Sequence, residues 1–168
     1  MKKYMTEIKW GLIFVVTALV WMMFEKAMGW HGDNIEKHAT MTNLFAIIAI
    51  AVYILALRDK KRNDLNGNMS WTQGFMSGMI ITAVVFVLSP VSQWITHTLI
   101  SPEYFPNIID YSLQQGYYEE RAGAEAYFSL TSYIIQAAIG ALLMGSLTSA
   151  IVAFFMKSKS PDISSETE

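Results

Sequence analysis

Four long apolar stretches set the plan of this chain: Trp10 to Phe24, Met41 to Leu57, Phe75 to Ile95 and Phe128 to Met156. None contains Asp, Glu, Lys, Arg or His. The apolar positions run on continuously, without the alternation of a membrane barrel strand, and an isolated strand cannot cross lipid with its backbone unpaired. The pattern therefore predicts helices. A helix crossing the hydrocarbon layer needs about 20 mostly apolar residues. The third and fourth stretches meet this length and the second is at its lower limit. The first covers only about 22 Å by helix rise. It becomes long enough by continuing through Ala27, Met28 and Trp30, with Glu25 and Lys26 reaching the headgroups. The expected fold is all-α: one polytopic domain over 1–159, a bundle with spans at 8–28, 41–57, 74–96 and 128–156.

The polar segments between the stretches divide by charge. Lys2, Lys3 and Lys9, then Arg58, Lys60, Lys61 and Arg62, then Lys157 and Lys159, fall on one side if there are four spans. That is nine of the twelve basic residues. The other side collects Glu25, Asp33, Glu36, Glu103, Asp110, Glu119, Glu120 and Glu125. The positive-inside bias then predicts that both termini and the Arg58–Met69 loop are cytoplasmic. Trp10 and Trp71 fall at the inner boundary and Trp30 and Trp94 at the outer one, where indoles favour the wet–dry zone. A second reading of the first stretch remains: a basic start, an apolar run and Ala27-Met28-Gly29 also have the form of a cleaved signal peptide.

Composition agrees with a membrane chain. Hydrophobic residues make up 53% and charged residues 15%, where a soluble domain carries about 25% charged. A net charge of −2 gives no field for nucleic acid. The absence of cysteine removes disulfides, thiolate metal sites and dithiol redox chemistry.

The connections carry local signals. Asn66-Gly67-Asn68 predicts a turn, and Ser70 with Gln73 gives a capping-box pattern into the third helix. In the long outer loop, Pro106 suits a first helical turn, and Phe105, Ile108, Ile109, Leu113 and Tyr117 can line one face of a short amphipathic helix; an irregular loop is the alternative. The Ser/Glu-rich tail, 160–168, predicts disorder.

Candidate chemistry is sparse. No nucleophile–base pair is visible, and no cofactor, metal or catalytic residue is expected. Polar residues within the spans lean to the outer half: Ser89, Ser92, Gln93, Tyr133 and Gln136, with Glu25 and His97 at the rim. They read either as an outward polar vestibule or as hydrogen bonds between helices, worth about 0.6 kcal/mol each. Pro90 frees the carbonyl of Phe86, which neighbouring serines can satisfy. His31, His38 and His97 all fall on the outer side near Asp33, Glu36 and Glu103, but without metal-ligand spacing on one helix. Small residues mark packing faces: Gly74 and Gly78 in the third helix, and Ala137, Ala141, Gly145, Ser149 and Ala153 every four residues in the fourth. These faces serve packing within the bundle or contact with a second copy.

The chain resembles domain-of-unknown-function family 4199, an uncharacterised bacterial membrane family. The resemblance lies in the basic start into the first span, the Ser70-Trp71-Thr72-Gln73-Gly74-Phe75-Met76-Ser77-Gly78 entry to the third, Tyr104-Phe105-Pro106 in the outer loop, and Phe154-Phe155-Met156-Lys157 at the end of the fourth. It covers roughly Lys3 to Lys159. It implies a four-helix inner-membrane protein and brings no activity and no catalytic residues. The functional expectation is a structural or accessory membrane component, in contact with the lipid bilayer and with a second copy or another membrane protein. The alternative is a small transport or ligand-binding subunit using the vestibule.

Overall fold

Residues 4–158 are described by the structure, a computed structural model; the tail expected to be disordered lies outside them. Four helical stretches are long and apolar enough to cross a membrane: Met5–Ala27, Ile35–Asp64, Trp71–Ile100 and Leu130–Met156. The first is α1 (Met5–Ala27). The second joins α2 (His38–Met41) to α3 (Phe45–Asp59), flanked by 3-10 turns and ending in a π turn at Lys60–Asp64. The third is α4 (Trp71–Ile95), continued by a π turn over Thr96–Ile100. The loop between the third and fourth spans folds into α5 (Tyr104–Gln114) and α6 (Arg121–Tyr127), and α7 (Leu130–Met156) is the fourth span. No strand occurs among the described residues.

Large apolar side chains cover the outside of these helices. Ile47, Val87, Leu143 and Phe155 are each more than two-thirds exposed. In water such a surface would drive aggregation; in lipid it has no cost. The chain is a multi-pass membrane protein.

The most extensive helix contact is between α4 and α7; α1 packs on α4 and α3, and α3 reaches α7. Small residues set the α4–α7 distance. A Cβ on Gly78 would stand 2.3 Å from Ser149 Oγ, and one on Gly145 would stand 2.5 Å from Thr82 Oγ1. Gly74 lies against Ala153 in the same way. A Cβ on Gly11 of α1 would meet Val84 at 2.5 Å. The close approach gains dispersion along both helices, which is the main driving force where lipid competes for apolar surface.

The start of α4 follows from its cap. Gln73 N–H donates to Ser70 Oγ at 3.2 Å and Ser70 N–H to Gln73 Oε1 at 2.8 Å, and both are orphan donors of a helix start. Further along, Pro90 removes the donor that Phe86 would receive; Ser89 Oγ donates to that carbonyl at 2.9 Å instead.

One end of the helices holds an ionic network that the apolar runs do not contain. α1 begins at Met5, so Glu7 is inside the helix and only 1% exposed. Lys60 Nζ lies 2.9 Å from Glu7 Oε1 and 2.9 Å from Asp64 Oδ2, and Ser77 Oγ donates to Glu7 at 3.0 Å. Lys9 and Trp10 both donate to Asp59. The interior is therefore not free of charge: helix propagation past the apolar run carries Glu7 under Lys60 and ties α1, the end of the second span and α4 together. We call this the terminal end, since Tyr4 and Ser158 both lie there.

Gly78→Leu and Gly145→Leu are each expected to destabilise the monomer by about 3 kcal/mol through overpacking, read as a lower SDS midpoint in reversible unfolding. Glu7→Ala strands part of the Lys60 charge in a buried setting and is expected to cost on the order of 3 kcal/mol in the same titration.

Candidate functional site

The opposite, loop end is built by a chain reversal after α1. Gly29 takes φ +76° and closes a Schellman motif: its N–H donates to Lys26 O at 2.9 Å, and Trp30 N–H donates to Glu25 O at 3.0 Å. Trp30 folds onto Trp21 and Phe24 and is buried rather than facing headgroups. The reversal carries His31, and then His38 at the start of α2, back over the last turn of α1. The π turn at Thr96–Ile100, closed by Ser101 N–H on Thr96 O at 2.7 Å, sets Ser101 against the same point.

Glu25 is the centre of this end. It is 0% exposed, where the sequence expectation had it reaching the headgroups. Lys26 does turn outward and donates to Ile100 O. Glu25 Oε2 stands 3.0 Å from His31 Nε2 and 3.2 Å from His38 Nδ1. Trp21 Nε1 donates to the other carboxylate oxygen. His31 Nδ1 lies 2.7 Å from Ser101 Oγ, and Asn107 of α5 donates to His31 O at 2.9 Å. His38 Nδ1, though close to Glu25, lacks hydrogen-bond geometry to any acceptor or donor. Ser101, His31 and Glu25 thus form a buried row, with the serine on Nδ1 and the acid on Nε2, the reverse of the nitrogens used in a serine triad.

Tyr104 ties the cluster to α4 and α7. Its ring centroid lies 5.2 Å from His31, 5.0 Å from His38 and 5.4 Å from His97. Its hydroxyl is 3.0 Å from that of Tyr133. Burial and the facing Tyr133 hold the Tyr104 phenol above its ordinary range, so it stays a neutral hydroxyl. His97 stacks on Phe105 at 4.2 Å, and its Nε2 meets Gln93 Oε1 at 3.1 Å.

Gln93 also lines a cavity of about 470 Å³ between the four spans. Phe14, Ala18, Ile50, Ala137, Ala141 and Met144 give it apolar walls; Thr42, Asn43, Ser89, Ser92 and Gln93 give it a polar side.

The residues singled out in the sequence thus separate. Ser89, Ser92 and Gln93 line the cavity. Glu25 joins His31 and His38 instead of the cavity rim. His97 and Tyr133 belong to the ring cluster beneath α5. Gln136 is exposed and bonds back to Ser132 within its own helix. Of the small residues, Gly74, Gly78, Gly145 and Ser149 lie in the α4–α7 contact, while Ala137 and Ala141 face the cavity. His31 and His38 were paired in the sequence with Asp33, Glu36 and Glu103, but their acid is Glu25. The signal for this was the glycine following a helix end: Gly29 reverses the chain, which brings residues six and thirteen positions beyond Glu25 back onto it.

The model of a protein family described as protein of unknown function, DUF4199, matches residues 9–158. The chain belongs to that family. The match covers most of the first span, all of the other three, and Glu25, His31 and His38; Glu7 lies just before it. No curated protein and no solved structure matches the chain significantly.

Proposed function

We propose that this membrane protein is a ligand-binding subunit that holds an uncharged amphipathic molecule in the cavity between its spans. The cavity carries the reading: it lies within the membrane-crossing helices, its walls are apolar, and its polar side offers hydroxyls and amides but no charge. A molecule with one acyl chain and a neutral hydrogen-bonding head matches that lining, and the surrounding lipid supplies it directly. The alternative of a purely structural component draws its support from the glycine contact between α4 and α7. That contact is complete within one chain and leaves the cavity unexplained.

The same proposal sets the protein in a bacterial inner membrane with the terminal end in the cytoplasm. The clustering of basic residues at that end supports it. Because the chain has no cysteine, single-cysteine labelling reads the orientation without background. Gln115→Cys in the α5–α6 connection is expected to react in intact cells with a membrane-impermeant maleimide, and Asn68→Cys only after lysis; the opposite pattern reverses the orientation.

Gly140 lines the cavity, and a Cβ there meets nothing within 4 Å. Gly140→Leu is expected to fill the space while leaving the SDS midpoint unchanged or raised. Native mass spectrometry with added monoolein should show one molecule retained per wild-type chain and none on the variant. Equal retention by both proteins would sink the reading.

A further inference from the structure

A fully buried carboxylate needs a cation, and Glu25 is supplied with one in an unusual way. Among the described residues its ion-pair neighbours are His31 and His38; no Lys or Arg reaches it.

The geometry points to a divalent metal of the zinc class, held by Glu25 Oε2, His31 Nε2 and His38 Nδ1. Each of the three residues offers one ligand atom, and these atoms all lie within 4.8 Å of one another. With bonds of about 2.0–2.1 Å, tetrahedral ligand atoms stand roughly 3.3 Å apart. The two distances to Glu25 Oε2, 3.0 and 3.2 Å, are near that edge. His38 Nδ1 is buried 3.2 Å from Oε2, on the same side of the carboxylate as His31 Nε2. Two imidazole nitrogens and one carboxylate oxygen are the donor set of zinc sites that keep a fourth position open for water or a ligand.

The groups behind these donors are those a metal site requires. Ser101 Oγ meets His31 Nδ1 at 2.7 Å, which turns Nε2 inward and fixes the ring. Trp21 Nε1 occupies Glu25 Oε1, leaving Oε2 for the ion. Tyr104 packs edge-on against both imidazoles, at interplanar angles of 65° and 61°. The second span, α1 and the start of α5 are all joined at this point, so the ion would lock the loop end. None of the three ligand residues lines the cavity, and the site is tested without a ligand there.

Zinc titration of the full-length protein in detergent, after chelator treatment, tests the site. Calorimetry should show one zinc per chain, with a rise in melting temperature that magnesium does not produce. His38→Gln, at the most exposed of the three positions, should weaken zinc binding at least about 100-fold. His97→Gln, which touches Tyr104 but not Glu25, should leave it unchanged. X-ray absorption of the zinc-loaded wild type should show nitrogen and oxygen neighbours including two imidazoles, and this readout holds even if a variant fails to fold. No saturable zinc binding, zinc binding undiminished by His38→Gln, or a spectrum lacking two imidazoles would each overturn the proposal and leave a histidine proton as the counter-ion.

Discussion

The close contact between α4 and α7 is the interaction on which the rest of the structure depends. In lipid, apolar side chains gain nothing by leaving one apolar medium for another, so helices associate where their backbones come close. Gly78 against Ser149 and Gly145 against Thr82 provide that closeness. The same row of small residues continues along α7 through Ala141, Gly140 and Ala137, but there it faces the space between the spans. One ridge thus has two consequences. Where it meets a glycine or a small side chain on α4 it makes a contact, and where α1 and α3 face it from across the interior it makes a wall of the cavity.

Charge is confined to the two ends of the helices and is handled differently at each. At the terminal end a buried carboxylate, Glu7, meets a lysine on the neighbouring span, and the pair is completed by Ser77 and Asp64. That arrangement fastens α1, the second span and α4 together through Glu7 Oε1, while Glu7 Oε2 has no hydrogen-bond partner among the described residues. At the loop end the buried carboxylate, Glu25, meets two imidazoles and an indole. Imidazoles exchange protons and bind metals at physiological pH where a lysine does neither. The two buried carboxylates thus differ in their basic partner, lysine at one end and imidazole at the other.

The cavity and the histidine cluster are linked by contact. Gln93 lines the cavity and meets His97; His97 and both cluster histidines lie against Tyr104. Tyr104 comes from α5, an element of the connecting loop and not of a span. The loop is therefore a working part of the fold, packed by Tyr104, Ile109 and Ser112, all buried. Its apolar face is turned onto the protein, and Tyr117, expected on that face, lies beyond the helix and exposed.

By itself the sequence determined that the chain is a helical membrane protein, because continuous apolar runs have no other stable form in lipid. It also determined the α4 cap, the rescue of the Phe86 carbonyl beside Pro90 and the small-residue faces, since each rests on neighbours within four residues. Tertiary structure alone decided which acid serves the histidines. Glu25 is far from Asp33 and Glu36 in role though near in number, and only the reversal at Gly29, with Ser101 and Tyr104 arriving from the third span and the loop, makes it the shared partner. Burial of Glu7 was likewise invisible, because it depends on Lys60 lying across from it, more than fifty residues away. Local pattern fixes what a helix needs from its own neighbours; the meeting of polar groups inside depends on how separate helices are placed, and no run of sequence records that.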